Sequence, residues 1–290
     1  MKLIKSLRQR GITGTYNKIV NYMMRRGGWS IMNRFAKQTQ HTIYHCCVQK
    51  TASQWFVRFW TDPLFWEHYN LKHFWPEDNF TVQRSHLKKK LNNIPWGRII
   101  APLYIKRSDF VNMKKSPSYR AVFVARDPRD LVISQYFSLK YSHPLTDPVI
   151  NKKRELLNSI PVEEGILELI NNFIGPSLET LEGWMNFKDE AVRIFLFEDL
   201  FGDRQLFIFK DLMEHCRINM SEDILSSLLK KHSFKKITGR DQGDESQNNH
   251  YRKGVPGDWK NHFTAEHKNA FKDRFGSILI NLGYETDSDW

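Results

Sequence analysis

Thr42–Phe59, TIYHCCVQKTASQWFVRF, is the stretch on which the fold is read. It opens with an apolar run (Ile43, Tyr44, Cys46, Cys47, Val48) that reads as a buried strand. A tight turn with Lys50, Thr51 and Ser53 follows, and Trp55, Phe56, Phe59 and Trp60 then recur at helical spacing. Strand, turn with a lysine and two hydroxyls, then helix is the build of a phosphate cradle. The helix N-terminus offers unpaired backbone N–H groups and a partial positive charge, the lysine adds a full charge, and the hydroxyls add donors. The turn lacks the glycines of GxxxxGK(S/T), so it is not the usual triphosphate loop.

The other apolar runs extend this pattern. Arg98–Ile105, Arg120–Ala125 and Val192–Phe197 read as further core strands. Helices are expected at about 128–141, in two pieces over 162–187 broken at Gly175-Pro176, at about 204–215 and 222–231, and finally at 265–282. Continuously apolar strands alternating with helices predict an α/β fold: one three-layer domain, with a central, mostly parallel sheet covered by helices on both faces. Residues 62–97 are rich in aromatics and histidine with poor periodicity, and read as loops and short helices over one mouth of the fold. They form either a plain aromatic lid or the wall of an acceptor pocket.

The chain has 290 residues, 40% hydrophobic and 13% aromatic, enough for one large core. Its net charge is +12, but residues 1–41 hold nine basic residues and no acid, which leaves only +3 for the rest. The body is therefore not a broadly basic nucleic-acid binder. We expect a basic N-terminal extension over 1–41 and the domain over 42–290. Tyr16, Ile19, Val20, Met23 and Met24 share one helical face in that extension. It is read as a loosely packed arm, a helix on an anionic membrane surface, or an organelle-targeting peptide. Three cysteines, two of them adjacent in a core strand, suggest buried thiols in a reducing compartment and a cytoplasmic protein. No apolar run reaches the roughly 18 residues of a membrane span. No CxxC pair or HExxH supports a metal site.

Two later stretches give the first its meaning. Ala121–Tyr136, AVFVARDPRDLVISQY, is a strand ending at Arg126, with Asp127 as N-cap and Pro128 as first helical residue. Ser134 lies eight residues after Arg126, about two turns into the helix. An arginine at a strand's carboxyl end sits where open α/β sheets bind ligands, and its fork suits a phosphate. Its alternative partners are Asp127 and Asp130. Tyr251–Thr264, YRKGVPGDWKNHFT, sets Arg252 and Lys253 beside Gly254, following a polar segment (239–250) expected to be mobile. This is a second phosphate clamp in type, or else a basic surface turn.

In order and type the three stretches resemble the nucleotide-binding motifs of the sulfotransferases, most similar to the cytosolic kind. Lys50, Thr51, Ala52, Ser53, Gln54 and Trp55 match the loop that holds the 5′-phosphosulfate. Val124-Ala125-Arg126 and Ser134 match the 3′-phosphate site. Arg252-Lys253-Gly254 opens a segment matching RKGxxGDWKxxFT, and Phe234 in His232-Ser233-Phe234 joins Trp55 in the adenine pocket. The resemblance covers roughly residues 42–290. It implies the P-loop-like sulfotransferase fold and sulfonate transfer from 3′-phosphoadenosine 5′-phosphosulfate (PAPS) to a hydroxyl or amine. PAPS is then a co-substrate, no metal is required, and Lys50 is the cation that meets the leaving phosphate.

The match has departures. Gln49 and Ala52 stand where the family usually has Pro and Gly, and alanine's β-carbon predicts that the loop avoids positive φ there. Phe197 replaces a tyrosine before Glu198-Asp199. The family's base is a histidine at the end of the strand equivalent to Arg98–Ile105, which here has none. His86, in Arg84-Ser85-His86-Leu87, is the first choice for the base, with Glu67, His68 and His73 as alternatives. The dimer segment KxxxTVxxxE reads Lys260, Thr264, Ala265 and Asn269, leaving the oligomeric state open. The expected acceptor is a small, apolar or ring-bearing hydroxyl compound, suggested by the aromatics of 62–97. The competing readings are a nucleotide-binding pseudo-enzyme or interaction module of the same fold, and a P-loop kinase, disfavoured by the missing glycine loop.

Overall fold

The computed structural model describes residues 41–76, 94–145, 148–185 and 187–290. Residues 1–40, most of the basic extension, and 77–93, including His86, lie outside the described residues. The sheet has five strands: β1 (Thr42–Cys47), β2 (Lys72–Phe74), β3 (Arg98–Tyr104), β4 (Tyr119–Ala125) and β5 (Val192–Leu196). Their order is β2-β3-β1-β4-β5, and every pairing is parallel. The four expected strands are present. The short edge strand β2 is an addition: it falls in the stretch read as loops and short helices.

Alternation along each strand sorts side chains into two cores, one per face. Ile43, Val122, Val124 and Phe195 point to a layer with α1 (Ser53–Trp60), α2 (Pro63–His68), and two later helices over 205–215 and 222–231. Tyr44, Cys46, Ala121, Phe123 and Ala125 point to the opposite layer. That layer holds α3 (Arg107–Asn112), α4 (Pro128–Phe137), α5 (Pro148–Ser159), α6 (Val162–Glu168) and α7 (Gly175–Met185). In it Trp184 stacks on Phe123 with ring centroids 4.9 Å apart, both fully buried. Burying each such side chain contributes about 1.5–3 kcal/mol.

The α1 layer is completed by α8 (Phe197–Leu200), α9 (Gln205–His215), α10 (Glu222–Lys231) and α11 (Phe234–Thr238). A 3₁₀ turn, Asp258–Asn261, and α12 (Ala265–Asn281) return to the α4 layer. Two elements begin as their sequences dictate. Asp127 caps α4 by accepting from Arg129 N at 2.9 Å, with Pro128 in the first turn. Thr264 and His267 form the capping pair of α12. Two helices loosen into π turns, Ser138–Ser142 after α4 and Leu169–Phe173 after α6. Among the described residues no helix is long and apolar enough to cross a membrane. All three cysteines are buried free thiols.

The strand β3 contains one irregularity that bears on the site. Tyr44 pairs with Ile100, but Cys46 pairs with Leu103, so β3 has one residue more than β1 across that interval. Before the bulge Ile99 and Ala101 face the α1 layer; after it Leu103 and Ile105, also odd-numbered, face the α4 layer. The bulge thus inverts which residues face which layer.

Candidate active site

All strand carboxyl ends lie on one edge of the sheet, and the β1–α1 loop crosses it. Lys50 and Ala52 both have positive φ, 70° and 60°. The expectation that Ala52 would avoid this conformation is therefore corrected: it adopts left-handed geometry as the N-cap of α1. The cost of a β-carbon there is only about 1–2 kcal/mol, which the packing of strand and helix on either side outweighs. Its methyl cannot accept a hydrogen bond, so α1 starts without a side-chain cap. The first-turn N–H groups are left to an outside acceptor, the condition for an anion site.

The two hydroxyls of the loop have different partners. Thr51 Oγ1 donates to Val48 O at 2.9 Å and closes the turn from inside. Ser53 Oγ lies 2.7 Å from the hydroxyl of Tyr104, the last residue of β3. Gln54 is half-buried, and its side chain also hydrogen-bonds the Tyr104 phenol. Trp55 is driven into the core, stacked on Phe59 and edge-on to Phe56 and Phe201, and donates its indole N–H to His232 O at 2.7 Å.

Arg126 is buried at the end of β4. It donates to Lys50 O at 3.1 Å, and its guanidinium lies 4.2 Å from the Phe197 ring centroid. Asp130 is its carboxylate partner, at 3.6 Å. Its buried Nε has no hydrogen-bond partner. Phe197, which replaces the expected tyrosine, thus supports Arg126 through its ring face rather than through a hydroxyl. Glu198 accepts from Asp127 N at 2.9 Å and from the Tyr284 hydroxyl at 2.8 Å, tying the strand end to the C-terminal segment. Ser134 lies half-buried two turns into α4.

The third stretch folds back over this edge. Asp130 accepts from Gly257 N at 2.7 Å and Trp259 N at 2.9 Å, anchoring the turn to α4. Asp258 takes both cations of the motif: Arg252, and Lys253 at 2.5 Å. Burial alone would raise the Asp258 pKa, but His262 Nε2 3.4 Å away and hydrogen bonds from Lys253, Arg252 and Asn261 hold it far below the usual carboxylate range. Gly254 has φ 73°, and a β-carbon there would come within 2.6 Å of the Phe234 ring. Glycine is thus required both by the conformation and by the ring against it. The polar segment before it is held by Arg240, which donates to the carbonyls of Asp244, Tyr251 and Arg252.

The result is a convergence of cations. Desolvation first, then the charges of Arg126 and Arg252, pull the Lys50 pKa down from 10.5 to about 8. Three cations close enough to repel, a buried orphaned guanidinium N–H and an uncapped helix start together fit a polyanionic ligand with two separated phosphate groups.

The structure also bears on the base candidates. Glu67 and His68 are exposed at the end of α2. His73 is half-buried, Nε2 lying 2.6 Å from Ala101 O, and pairs in register with Ile99 near the amino end of β3, away from the edge bearing the loop. Burial lowers its pKa to about 4, partly countered by that carbonyl.

Two histidines absent from the sequence reading lie within electrostatic reach of Lys50. His143 follows the π turn after α4 and has its carbonyl held by Arg154 Nη2 at 2.7 Å. His250 packs edge-on to Tyr251, at 5.6 Å between centroids. Desolvation, Lys50 and Arg154 lower the His143 pKa; that of His250 is also lowered, by the protein crowded round its ring and by Lys50, His143 and Arg58, although the residue is exposed and water screens much of this effect. Their proximity is tertiary, and no local motif announces it.

Comparison with known proteins agrees with this geometry. The family model described as sulfotransferase domain matches residues 26–283. Human Sulfotransferase 1C2 is 30% identical over 165 residues, 52% of this chain and 52% of that protein. Rat Sulfotransferase 1C2 is 27% identical over 218 residues, 68% of each. The match thus spans about half the length of the human relative and two thirds of the rat one. Among solved structures, mouse sulfotransferase SULT7A1 complexed with PAP superposes with TM-score 0.58 and 17% identity, covering 86% of both chains. Retinol dehydratase in complex with retinol and PAP does so with TM-score 0.55 and 14% identity, over 82% of this chain and 81% of that one. These two share the fold.

Proposed function

We propose an activity for a chain that belongs to the sulfotransferase family: it moves the sulfuryl group of PAPS to a hydroxyl or amine of a small acceptor. The observation that supports this most is the convergence of Lys50, Arg126 and Arg252 on one sheet edge, with Lys50 lowered to about pKa 8 and the Arg126 Nε unpaired. PAPS supplies the sulfuryl group and, in its 5′-phosphate, the leaving group. Lys50, Ser53, Gln54 and the amino end of α1 hold the 5′ side. Arg126, Ser134, Arg252, Lys253 and Gly254 hold the 3′-phosphate, and Phe234 and Trp55 form the adenine side. Asp258 and Asp130 keep the closing segment in place.

In the transfer the S–O bond to the 5′-phosphate breaks and one to the acceptor oxygen or nitrogen forms. Charge grows on the phosphate oxygen, which Lys50 stabilises. The acceptor proton needs a base. His86, the expectation from sequence, lies outside the described residues. Of the two histidines near Lys50, His143 is the stronger base candidate, because the pKa of His250 is lowered further and a depressed pKa weakens an imidazole as a proton acceptor. No metal has a part in this scheme.

The acceptor is read as an apolar or ring-bearing hydroxyl compound. Relatives include a 3-alpha-hydroxysteroid sulfotransferase of Cavia porcellus and, in fold, retinol dehydratase bound to retinol. Both names fit the aromatic content of 62–97. The test is calorimetric binding of 3′-phosphoadenosine 5′-phosphate (PAP) beside ADP and ATP. Tight PAP binding, weakened about 100-fold or more in Arg126→Ala by loss of charge-assisted bonds to phosphate, is expected. Turnover of PAPS with a panel of sterols, retinoids and phenols then follows. Preference for ATP would sink the reading and revive the kinase alternative; PAP binding without turnover would favour the pseudo-enzyme.

A further inference from the structure

Tyr104 has no assigned part in the reaction, and the bulge of β3 gives it one. Without the extra residue, Leu103 would stand opposite Cys47 at the end of β1. With it, Tyr104 does. The same inversion turns Leu103 and Ile105 to the α4 layer and leaves Tyr104 on the α1 side, where its phenol meets Ser53 Oγ at 2.7 Å. Ser53 is the first residue of α1, directly after the left-handed Ala52, in the turn that exposes the uncapped helix start. We propose that Tyr104 is a positioning residue of the donor site, fixing the Ser53 hydroxyl so that its proton points to the 5′-phosphate of the nucleotide. This rests on the sulfotransferase reading above.

The hydrogen-bond count supports the direction. A serine hydroxyl has one proton and two lone pairs. If Ser53 gave its proton to the phenol, none would remain for a phosphate oxygen. Burial raises the Tyr104 pKa well above its ordinary value, with Cys47 adding to the effect and hydrogen bonding with Ser53 and Gln54 opposing it. The phenol is therefore a protonated donor throughout the working range. It receives the Gln54 side chain and gives its own proton to Ser53, so Gln54, Tyr104 and Ser53 form a short chain that ends at the phosphate side of the loop. A phenylalanine would fill the same space and leave Ser53 free to rotate.

The experiment compares wild type, Tyr104→Phe, Ser53→Ala and the double variant by calorimetry with two probes, PAP and adenosine 3′-monophosphate. The second probe keeps the 3′-phosphate and lacks the 5′ one. Tyr104→Phe is expected to weaken PAP about 3- to 10-fold, the worth of one neutral hydrogen bond. It should leave adenosine 3′-monophosphate unchanged, and the double variant should bind PAP no more weakly than Ser53→Ala alone. Equal losses for both probes would show general loosening and overturn the proposal, as would effects that multiply or a Tyr104→Phe protein that binds PAP like wild type. Failure of the sulfotransferase reading looks different: wild type would then bind ADP or ATP at least as well as PAP. Thermal midpoints of all four proteins, measured without nucleotide, separate any loss of folding from loss of the contact.

Discussion

Lys50 shows how a single side chain is prepared for its ligand. Its folded pKa, lowered to about 8 by burial and by Arg126 and Arg252, lies below the ordinary 10.5, so the free protein loses this charge as pH rises through 8. A bound phosphate favours the charged form and draws the pKa back up. PAP binding should therefore take up a proton near pH 8.5, where the phosphate itself is already ionised, with second pKa about 6. The check is calorimetry in two buffers of different ionisation enthalpy. Observed enthalpies should differ near pH 8.5 and should not once Lys50→Met removes the group. Affinity should also fall as pH climbs above 8. Equal enthalpies in both buffers for wild type would contradict the cation cluster. Lys50 itself was readable from sequence because its turn and helix are contiguous. Its depressed pKa was not, since Arg126 and Arg252 come from distant stretches. Ala52 was misread for a related reason: a backbone cost of about 1–2 kcal/mol is decided by what the surrounding packing imposes.

At the level of elements, what repeats along the chain was legible and what depends on partners was not. The three inner strands are buried on both faces, and these together with the edge strand β5 announce themselves as apolar runs. Strand β2 is three half-buried residues, Lys72–Phe74, and gives no such run. The bulge of β3 is equally silent, because one extra residue changes facing without changing composition. The closing segment was legible as a motif, and its glycines make a testable pair. Gly254 and Gly257 both have positive φ, 73° and 77°, but only at Gly254 would a β-carbon strike a neighbour, the Phe234 ring at 2.6 Å. Replacing either by Ala should cost about 1–2 kcal/mol of backbone strain, lowering the thermal midpoint by roughly 2–8 °C. Gly254→Ala should in addition displace Phe234 and weaken PAP by about tenfold or more, while Gly257→Ala weakens it less. Calorimetry and thermal melts of the two variants decide it; equal loss of affinity in both would mean that Phe234 has no place in the adenine pocket.

Over the described molecule, the site joins parts that are far apart in the chain. The β1–α1 loop meets Arg126 through the Lys50 carbonyl. Asp130 on α4 holds the backbone of the closing segment. Glu198, after β5, links Asp127 to Tyr284 near the C-terminus. Arg129 pairs with Asp127 and Glu285 while lying 4.0 Å from the Trp259 ring centroid and 4.6 Å from that of Trp290. A ligand that bridges these parts stabilises all of them together, because none can open without releasing it. At a concentration 100 times its dissociation constant, PAP should add about 2.7 kcal/mol to the folded state. For a domain of this size that raises the thermal midpoint by roughly 5–10 °C. The melt should move as one transition, and Arg126→Ala should remove most of the shift at the same PAP concentration. A melt with two steps, of which PAP moves only one, would mean that the closing segment folds apart from the sheet. The network of Asp130, Glu198 and Arg129 would then be packing without a part in binding.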